Sequence, residues 1–235
     1  MKNNFKVIAF DADDTLWDNE IFFRQTEEQF CDLLRDFSEP EATMKELFSI
    51  EMKNMEDYGY GTKAFVLSMI ETAVRISNDK VPSRILNQII ELGKKQINQD
   101  VHLLDGVTEL LEHLSKKHYK LIVATKGDLL DQERKLKKSG LENYFHHVEV
   151  MSNKRTADYQ KLIQHLDIQS EDFLMIGNSY KSDIEPVLEL GGYGIHVPYH
   201  ILWEHEKAVE NEEHPNWLKI QSLKDVKDFL ETSSF

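Results

Sequence analysis

The stretch FKVIAFDADDTL (residues 5–16) joins a short, mostly apolar run to three carboxylates within four positions. An apolar run of this length, without regular alternation of polar residues, is typical of a strand buried on both faces of a parallel sheet. Three acids directly after such a strand are unfavourable unless a positive group compensates them. The stretch therefore predicts a parallel sheet with an acidic site at the carboxyl end of its first strand. For these residues alone, an acidic turn that caps the following helix is the alternative.

Residues 19–100 follow a helical pattern. Apolar side chains recur three and four positions apart in four successive segments. The breaks between segments include the Gly-Tyr-Gly turn at 59–61 and Pro82, which suits the start of a helix. Four consecutive amphipathic helices with no strand pattern among them most simply pack as a four-helix bundle.

From residue 101 onward, strand and helix patterns alternate. Strands are expected at 120–125, 148–151, 173–176 and 193–197, with helices between them and a closing helix at 222–230. Such alternation implies right-handed crossovers and a parallel sheet covered by helices on both faces. We therefore predict an α/β protein with a Rossmann-like parallel sheet core, residues 1–17 and 101–235, and an inserted four-helix bundle, residues 18–100.

The composition limits the classes of partner. The formal net charge of −14 argues against nucleic acid and against an anionic membrane, since both are bound largely through Lys and Arg. Cys31, the single cysteine, lies in an apolar helical stripe and is expected to be a buried structural thiol. So low a cysteine count suits a reducing cytoplasm, and the run before Asp11 is too short for a signal peptide or a membrane span. We expect a cytoplasmic protein.

Polar residues also follow three further predicted strands. Ligands of open parallel sheets bind at the carboxyl ends of the strands, so these residues are expected near Asp11. Thr125 ends one strand. Its hydroxyl and the adjacent N–H groups are suited to donate to a phosphate oxygen. The alternative is that Thr125 caps the next helix. Lys154 follows the next strand at a helix start, where an exposed lysine is also common. Residues 177–183, GNSYKSD, follow the third and offer an amide and a carboxylate oxygen to a cation.

Asp11 and Asp13 suit two different catalytic roles. Two carboxylates two residues apart at a strand end allow one to attack phosphorus while the other moves a proton. A divalent cation would compensate their charge, and Mg²⁺ prefers a few carboxylates together with water and phosphate oxygens. The residues therefore favour metal-assisted phosphoryl chemistry.

Together, these four strand-end motifs resemble, in their order and spacing, those of the haloacid dehalogenase-like hydrolase superfamily. The helical insertion between the first and second motifs is similar to the C1-type helical cap domain of its subfamily I. The resemblance implies that Asp11 is the nucleophile and that Asp13 is the general acid/base, which protonates the leaving group and then activates water. Thr125 matches the hydroxyl that holds a phosphate oxygen, and Lys154 matches the lysine that neutralises the aspartyl phosphate. We assign Lys126, beside Thr125, to phosphate binding as well.

The resemblance also implies a Mg²⁺ cofactor. Its expected ligands are Asp11, Asp13, Asn178 and Asp183. In this family the second aspartate of the first motif contributes its backbone carbonyl. The sequence departs from the family pattern in three places: Asp14 stands where glycine is commoner, Lys154 lacks the prolines that often follow it, and Asn178 stands where aspartate is usual. An amide oxygen ligates Mg²⁺ but brings no charge, so the choice between Asn178 and Asp183 as direct ligand stays open.

The predicted activity is a Mg²⁺-dependent phosphatase that hydrolyses a small phosphorylated metabolite. Asp13 argues against the dehalogenase and phosphonate-cleaving branches of the family, which do not keep an acid at that position. A sugar-phosphate mutase stays open, because it shares the motifs and differs in the acceptor of the phosphoryl group. A non-catalytic phosphate-binding or regulatory protein on the same fold is the third hypothesis, and Asn178 is the feature that favours it.

Overall fold

A computed structural model describes residues 5–211 and 213–232. Its centre is a six-stranded sheet in the order β3-β2-β1-β4-β5-β6, in which every neighbouring pair is parallel. The strands are β1 (Val7–Phe10), β2 (Lys120–Lys126), β3 (His147–Met151), β4 (Phe173–Gly177), β5 (Tyr193–His196) and β6 (Trp217–Lys219). The predicted Rossmann-like parallel sheet is therefore confirmed, with β1 in the interior of the sheet where an apolar run is expected.

Helices cover both faces of the sheet. They are α5 (Val107–Leu114), α6 (Leu129–Ser139), α7 (Thr156–His165), α8 (Glu185–Leu188) and α9 (Leu223–Thr232). Successive residues of β1 point to opposite faces, as strand geometry requires: Ile8 and Phe10 pack in one core with α5 and α9, whereas Val7 and Ala9 pack in the other with α7 and α8. Two apolar cores thus hold the strand that carries the first motif.

The four helices expected in residues 19–100 are present. They are α1 (Glu20–Leu33), α2 (Pro40–Tyr58), α3 (Thr62–Ile76) and α4 (Ser83–Ile97). All four contribute to one apolar core with members such as Phe30, Leu47, Met69 and Ile89, each fully buried. Among the helices of the described ranges, none is both long and apolar enough to span a membrane.

The chain divides into two compact units. The α/β unit contains the residues up to Glu20, Val101–Lys126 and the residues from Lys135 onward, and the helical unit contains Ile21–Asp100 with Gly127–Arg134. The expected limits had placed residues 127–134 in the core. They group with the helices instead, and within that unit Lys63 Nζ lies 2.9 Å from both carboxylate oxygens of Asp128.

Two elements differ from the sequence-based expectation. β6 was not predicted, because three residues, none of them buried, are too few for a recognisable strand pattern. The helix expected between the strands at 173–176 and 193–197 instead begins as a single π-helical turn, Tyr180–Ile184, and continues as α8. Such turns are frequent at functional sites, and this one includes Asp183.

Candidate active site

Asp11 lies directly after β1 and is buried. Its backbone N–H continues the pairing with β4 by donating to the Ile176 carbonyl, at 2.9 Å. The chain then turns, with Leu16 N–H donating to the Ala12 carbonyl at 2.8 Å. This turn places the Thr15 hydroxyl 3.2 Å from Asp11 Oδ2, to which it donates. The side chain is therefore fixed at the carboxyl end of the sheet, as predicted.

Lys154 joins Asp11 to Asp183. Its ammonium group donates a short hydrogen bond to Asp11 Oδ1 and a second, of 2.6 Å, to Asp183 Oδ1. Lys154 follows β3, and its side chain is only 2% exposed. The structure thus brings together three predicted site residues from three different motifs. The alternative of an exposed lysine at the helix start does not hold.

Burial and charge set the ionisation of this group. Burial raises the pKa of Asp11 to about 7, and the positive charge of Lys154 opposes the rise. Burial acts to lower the pKa of Lys154, but the charges of Asp11 and Asp183 outweigh it and hold that pKa well above its usual range. Lys154 is therefore the cation that opposes neutralisation of the Asp11 carboxylate in this buried site.

Asp13 is surrounded by hydrogen-bond donors. Lys135 Nζ lies 2.6 and 2.8 Å from its two carboxylate oxygens, and Trp17 Nε1 donates to Oδ1 at 2.8 Å. Lys135 also lies 3.2 Å from Asn19 Oδ1. Lys135 was not identified from the sequence, because it is one of several lysines on α6 and follows no motif. Its contact arises from the position of the helix alone.

Asp14 has a structural role. It has a φ of 61°, a conformation in which glycine is favoured, in agreement with glycine being commoner at this position. Its carboxylate accepts hydrogen bonds from the N–H groups of Asn19 at 2.8 Å and Glu20 at 3.0 Å, at the start of α1. Burial raises its pKa to about 8, although these two hydrogen bonds act to lower it. The capping interpretation of the acidic turn is therefore correct for the third acid.

Oxygen atoms converge on one side of Asp11. The Asn178 amide oxygen faces Asp11 Oδ2 and the Asp13 carbonyl oxygen, each 3.2 Å away. Adjacent ligands of an octahedral ion with bonds of about 2.1 Å stand roughly 3 Å apart, so this set fits Mg²⁺. Rotation of the amide would instead make it a donor to the same atoms. Within residues 5–211 and 213–232, no group of three His, Cys, Asp or Glu side chains is arranged for a metal, so any cation here depends on the amide and the carbonyl.

Asp183 lies elsewhere in the site. Oδ1 accepts from Lys154, and Oδ2 accepts from the Ser179 N–H at 2.9 Å. Gly177 is the residue that makes this position possible, since a Cβ there would lie 2.3 Å from Asp183 Oδ2. Of the two residues left open as direct ligands, Asn178 is the one that faces the oxygens of Asp11 and Asp13.

The two residues expected to hold phosphate end β2. Thr125 is buried, at 1% exposure, with its hydroxyl 3.3 Å from the Lys126 carbonyl. Lys126 Nζ lies 2.6 Å from Glu206 Oε1 and 2.9 Å from Ser182 Oγ. Glu206 lies in a short 3₁₀ turn after β5 and was missed in the sequence, because no motif includes it. Lys126 is therefore paired with a carboxylate.

Comparisons with known proteins agree on the fold. A family model described as haloacid dehalogenase-like hydrolase matches residues 5–191. A haloacid dehalogenase-like family hydrolase from Xanthomonas campestris is 32% identical, with a TM-score of 0.86 over 97% of this chain and 92% of that one. A 2-haloacid dehalogenase from Pseudomonas syringae is 17% identical, with a TM-score of 0.65 over 97% of this chain and 98% of that one, and shows the fold alone.

One curated relative is a pyrimidine 5'-nucleotidase, PynA, from Streptococcus pneumoniae. It is 30% identical over 139 residues, which are 57% of this chain and 56% of the relative. The match thus spans little more than half the length of that protein.

Proposed function

Because the chain belongs to the haloacid dehalogenase-like hydrolases, we propose that it is a Mg²⁺-dependent phosphatase acting on a small phosphorylated metabolite. The observation that carries the proposal is the pair of acids after β1. Asp11 accepts a hydrogen bond from the buried Lys154. Asp13, two residues later, accepts hydrogen bonds from two other residues, Lys135 and Trp17. One carboxylate is thus placed to attack and the other to exchange a proton.

In the proposed first step, an Asp11 carboxylate oxygen attacks phosphorus and the ester P–O bond breaks. The leaving oxygen takes a proton from the carboxylic acid form of Asp13, so that an alcohol departs, Asp13 becomes a carboxylate and an aspartyl phosphate remains. In the second step, water attacks that phosphorus, gives a proton back to Asp13 and releases inorganic phosphate with a free Asp11. Lys154 offsets the negative charge throughout.

The residues that would hold Mg²⁺ are Asp11, Asn178 and the backbone carbonyl of Asp13. When bound, the ion would supply positive charge to the phosphoryl oxygens and help to orient the phosphate. Asp183 would act through Lys154, whose ammonium it shares with Asp11. Thr125 would hold a phosphate oxygen from the end of β2.

Asp13 is the residue that supports a phosphatase over a dehalogenase. A dehalogenation expels halide, which needs no proton, whereas an alkoxide leaving group does. For the substrate, the pyrimidine 5'-nucleotidase relative makes pyrimidine nucleoside 5'-monophosphates the first compounds to test. We propose that class as one case of a small phosphorylated metabolite.

The test is turnover of p-nitrophenyl phosphate and of uridine and thymidine 5'-monophosphates, with Mg²⁺ and with chelator. Asp11→Asn should abolish release of phosphate, and chelator should do the same to the wild type. Asp36→Asn, at an exposed position of the helical unit, is the matched control and should keep full activity. Normal turnover by Asp11→Asn, or halide release from 2-haloacids in place of phosphatase activity, would overturn the assignment.

A further inference from the structure

Glu206 makes contacts that place it beside the fourth motif. Its Oε2 accepts hydrogen bonds from the hydroxyls of Ser179 and Ser182, both at 2.5 Å. Its Oε1 lies 2.6 Å from Lys126 Nζ, and its side chain is 10% exposed. One carboxylate therefore joins the end of β2 to two points of the 178–183 loop, the segment from Asn178 to Asp183.

The two serines lie at opposite ends of the 178–183 loop. Ser179 follows Asn178, the residue whose amide faces Asp11, and Ser182 precedes Asp183, which binds Lys154. Because both hydroxyls meet on one Glu206 oxygen, the ends of the loop are held at a fixed separation. Nearby, Lys181 Nζ donates to the His205 carbonyl at 2.6 Å, which ties the same loop to the 3₁₀ turn that carries Glu206.

The negative charge of Glu206 strengthens the hydrogen bonds that it accepts. Burial disfavours the charged form of Glu206, but the Lys126 charge and the hydrogen bonds from Lys126 and the two serines outweigh it and lower its pKa to about 2. Glu206 is thus a carboxylate at any ordinary pH, and charge-assisted hydrogen bonds of this kind are about twice as strong as neutral ones. Lys126 supplies the compensating charge and donates to Glu206 and to the Ser182 hydroxyl.

We infer that Glu206 is a positioning residue for the cation site, acting through Ser179 and Ser182 on Asn178 and Asp183, with Lys126 as its counter-ion. The inference rests on the proposed function, because it assumes that the oxygens of Asp11, Asp13 and Asn178 hold a divalent cation. It also changes the expected role of Lys126, which stabilises Glu206 instead of binding the substrate phosphate.

The test measures binding of Mn²⁺, a spectroscopic substitute for Mg²⁺, by the electron paramagnetic resonance of the free ion, so that no turnover is needed. Glu206→Gln keeps the size of the side chain and removes its charge. It should raise the dissociation constant of Mn²⁺ by roughly tenfold, the scale found when a partner that orients a metal ligand is lost. Glu204→Gln is the matched control, because Glu204 lies on the same 3₁₀ turn, is exposed and pairs with Lys207. It should bind Mn²⁺ like the wild type.

Two further variants distinguish the positioning role from loss of folding and from direct phosphate binding by Lys126. If Glu206→Gln does not fold, Ser182→Ala removes one of the two hydroxyl contacts and should weaken Mn²⁺ binding several-fold with a cooperative unfolding transition retained. Lys126→Met should also weaken Mn²⁺ binding and change KM for the phosphate substrate by less than about threefold. A KM raised tenfold or more with normal Mn²⁺ binding would instead make Lys126 a phosphate ligand.

The outcomes also distinguish the inference from the proposed function. Tight Mn²⁺ binding by the wild type and equally tight binding by Glu206→Gln and Ser182→Ala would overturn the positioning role and leave the phosphatase assignment intact. A wild type that binds no Mn²⁺ would overturn the proposed cation dependence, and the positioning role with it.

Discussion

The ammonium group of Lys135 lies 2.6 and 2.8 Å from the two carboxylate oxygens of Asp13. With the Trp17 indole also donating to Oδ1, both oxygens act as acceptors, so the carboxylate is held in one orientation. Asp13 is the proposed proton donor to the leaving group, and proton transfer depends on a side chain placed within hydrogen-bond reach. The orientation of Asp13 therefore depends on a residue from α6.

Lys135→Met should lower kcat by about 10- to 100-fold and change KM by less than about threefold, because it disturbs proton transfer and leaves the phosphate contacts in place. The loss should be larger for an alkyl phosphate than for p-nitrophenyl phosphate, whose leaving group needs little protonation. Lys137→Met, at an exposed position of the same helix, is the control and should be near wild type. Equal losses for both substrates would show that Lys135 does not act through Asp13 in leaving-group departure.

Lys154→Met should destabilise the protein by about 3–5 kcal/mol, since it leaves the buried carboxylates of Asp11 and Asp183 without their cation. Phosphatase activity should be lost as well. Unfolding in urea measures the first effect. Adding Asp183→Asn to Lys154→Met removes one of the two charges and should recover part of the lost stability. A double variant less stable than Lys154→Met alone would contradict the explanation from unpaired charge.

The sequence predicted the parts of the site that lie at strand ends. Asp11 and Asn178 each follow a strand and Thr125 lies at the end of one. A strand end is set by the local pattern of apolar residues. Because the strands are parallel, their carboxyl ends meet on one edge of the sheet. The strand pattern alone therefore predicts that motifs distant in sequence lie close together.

The sequence did not reveal Lys135 or Glu206, which contact the site from a helix face and from a turn. Lys135 meets Asp13 across 122 positions, and Glu206 meets Lys126 across 80. Whether such a side chain reaches the site depends on where its element lies, which periodicity alone does not show. The role of Asp14 was likewise settled by backbone conformation, since a positive φ turns its side chain to the N–H groups at the start of α1.

Asn178 should control the strength of cation binding. Asn178→Asp adds a charged ligand beside Asp11 Oδ2 and should tighten Mn²⁺ binding on the order of tenfold, because affinity rises with the charge of the ligands. Asn178→Ala should weaken it by a similar factor. The pair of variants is compared by Mn²⁺ titration and by the Mg²⁺ concentration at half-maximal activity. Unchanged affinity in both variants would show that position 178 is not a ligand.

Glu51 on α2 should make the stability of the protein depend on pH. Burial raises its pKa from about 4.5 to about 8, and the neighbouring Glu27 adds to the rise. The folded state therefore binds this proton more tightly than the unfolded state, so the stabilisation is complete below about pH 4.5 and is lost as the pH rises through 8. Glu51→Gln stays neutral and should be more stable than the wild type by about 4 kcal/mol at about pH 8 and by only about 1 kcal/mol at about pH 5, since each unit of pKa difference corresponds to about 1.4 kcal/mol.

The measurement for Glu51 is urea unfolding of both proteins at several values between about pH 5 and pH 8. Other buried acids such as Asp14 contribute a slope of the same sign to both proteins, so the difference between the two curves isolates Glu51. Glu56→Gln is the matched control, since Glu56 is exposed on the same helix, and its curve should follow the wild type. If the Glu51→Gln and wild-type curves run parallel over this range, Glu51 is ionised in the folded protein, and its charge must be compensated within the helical unit.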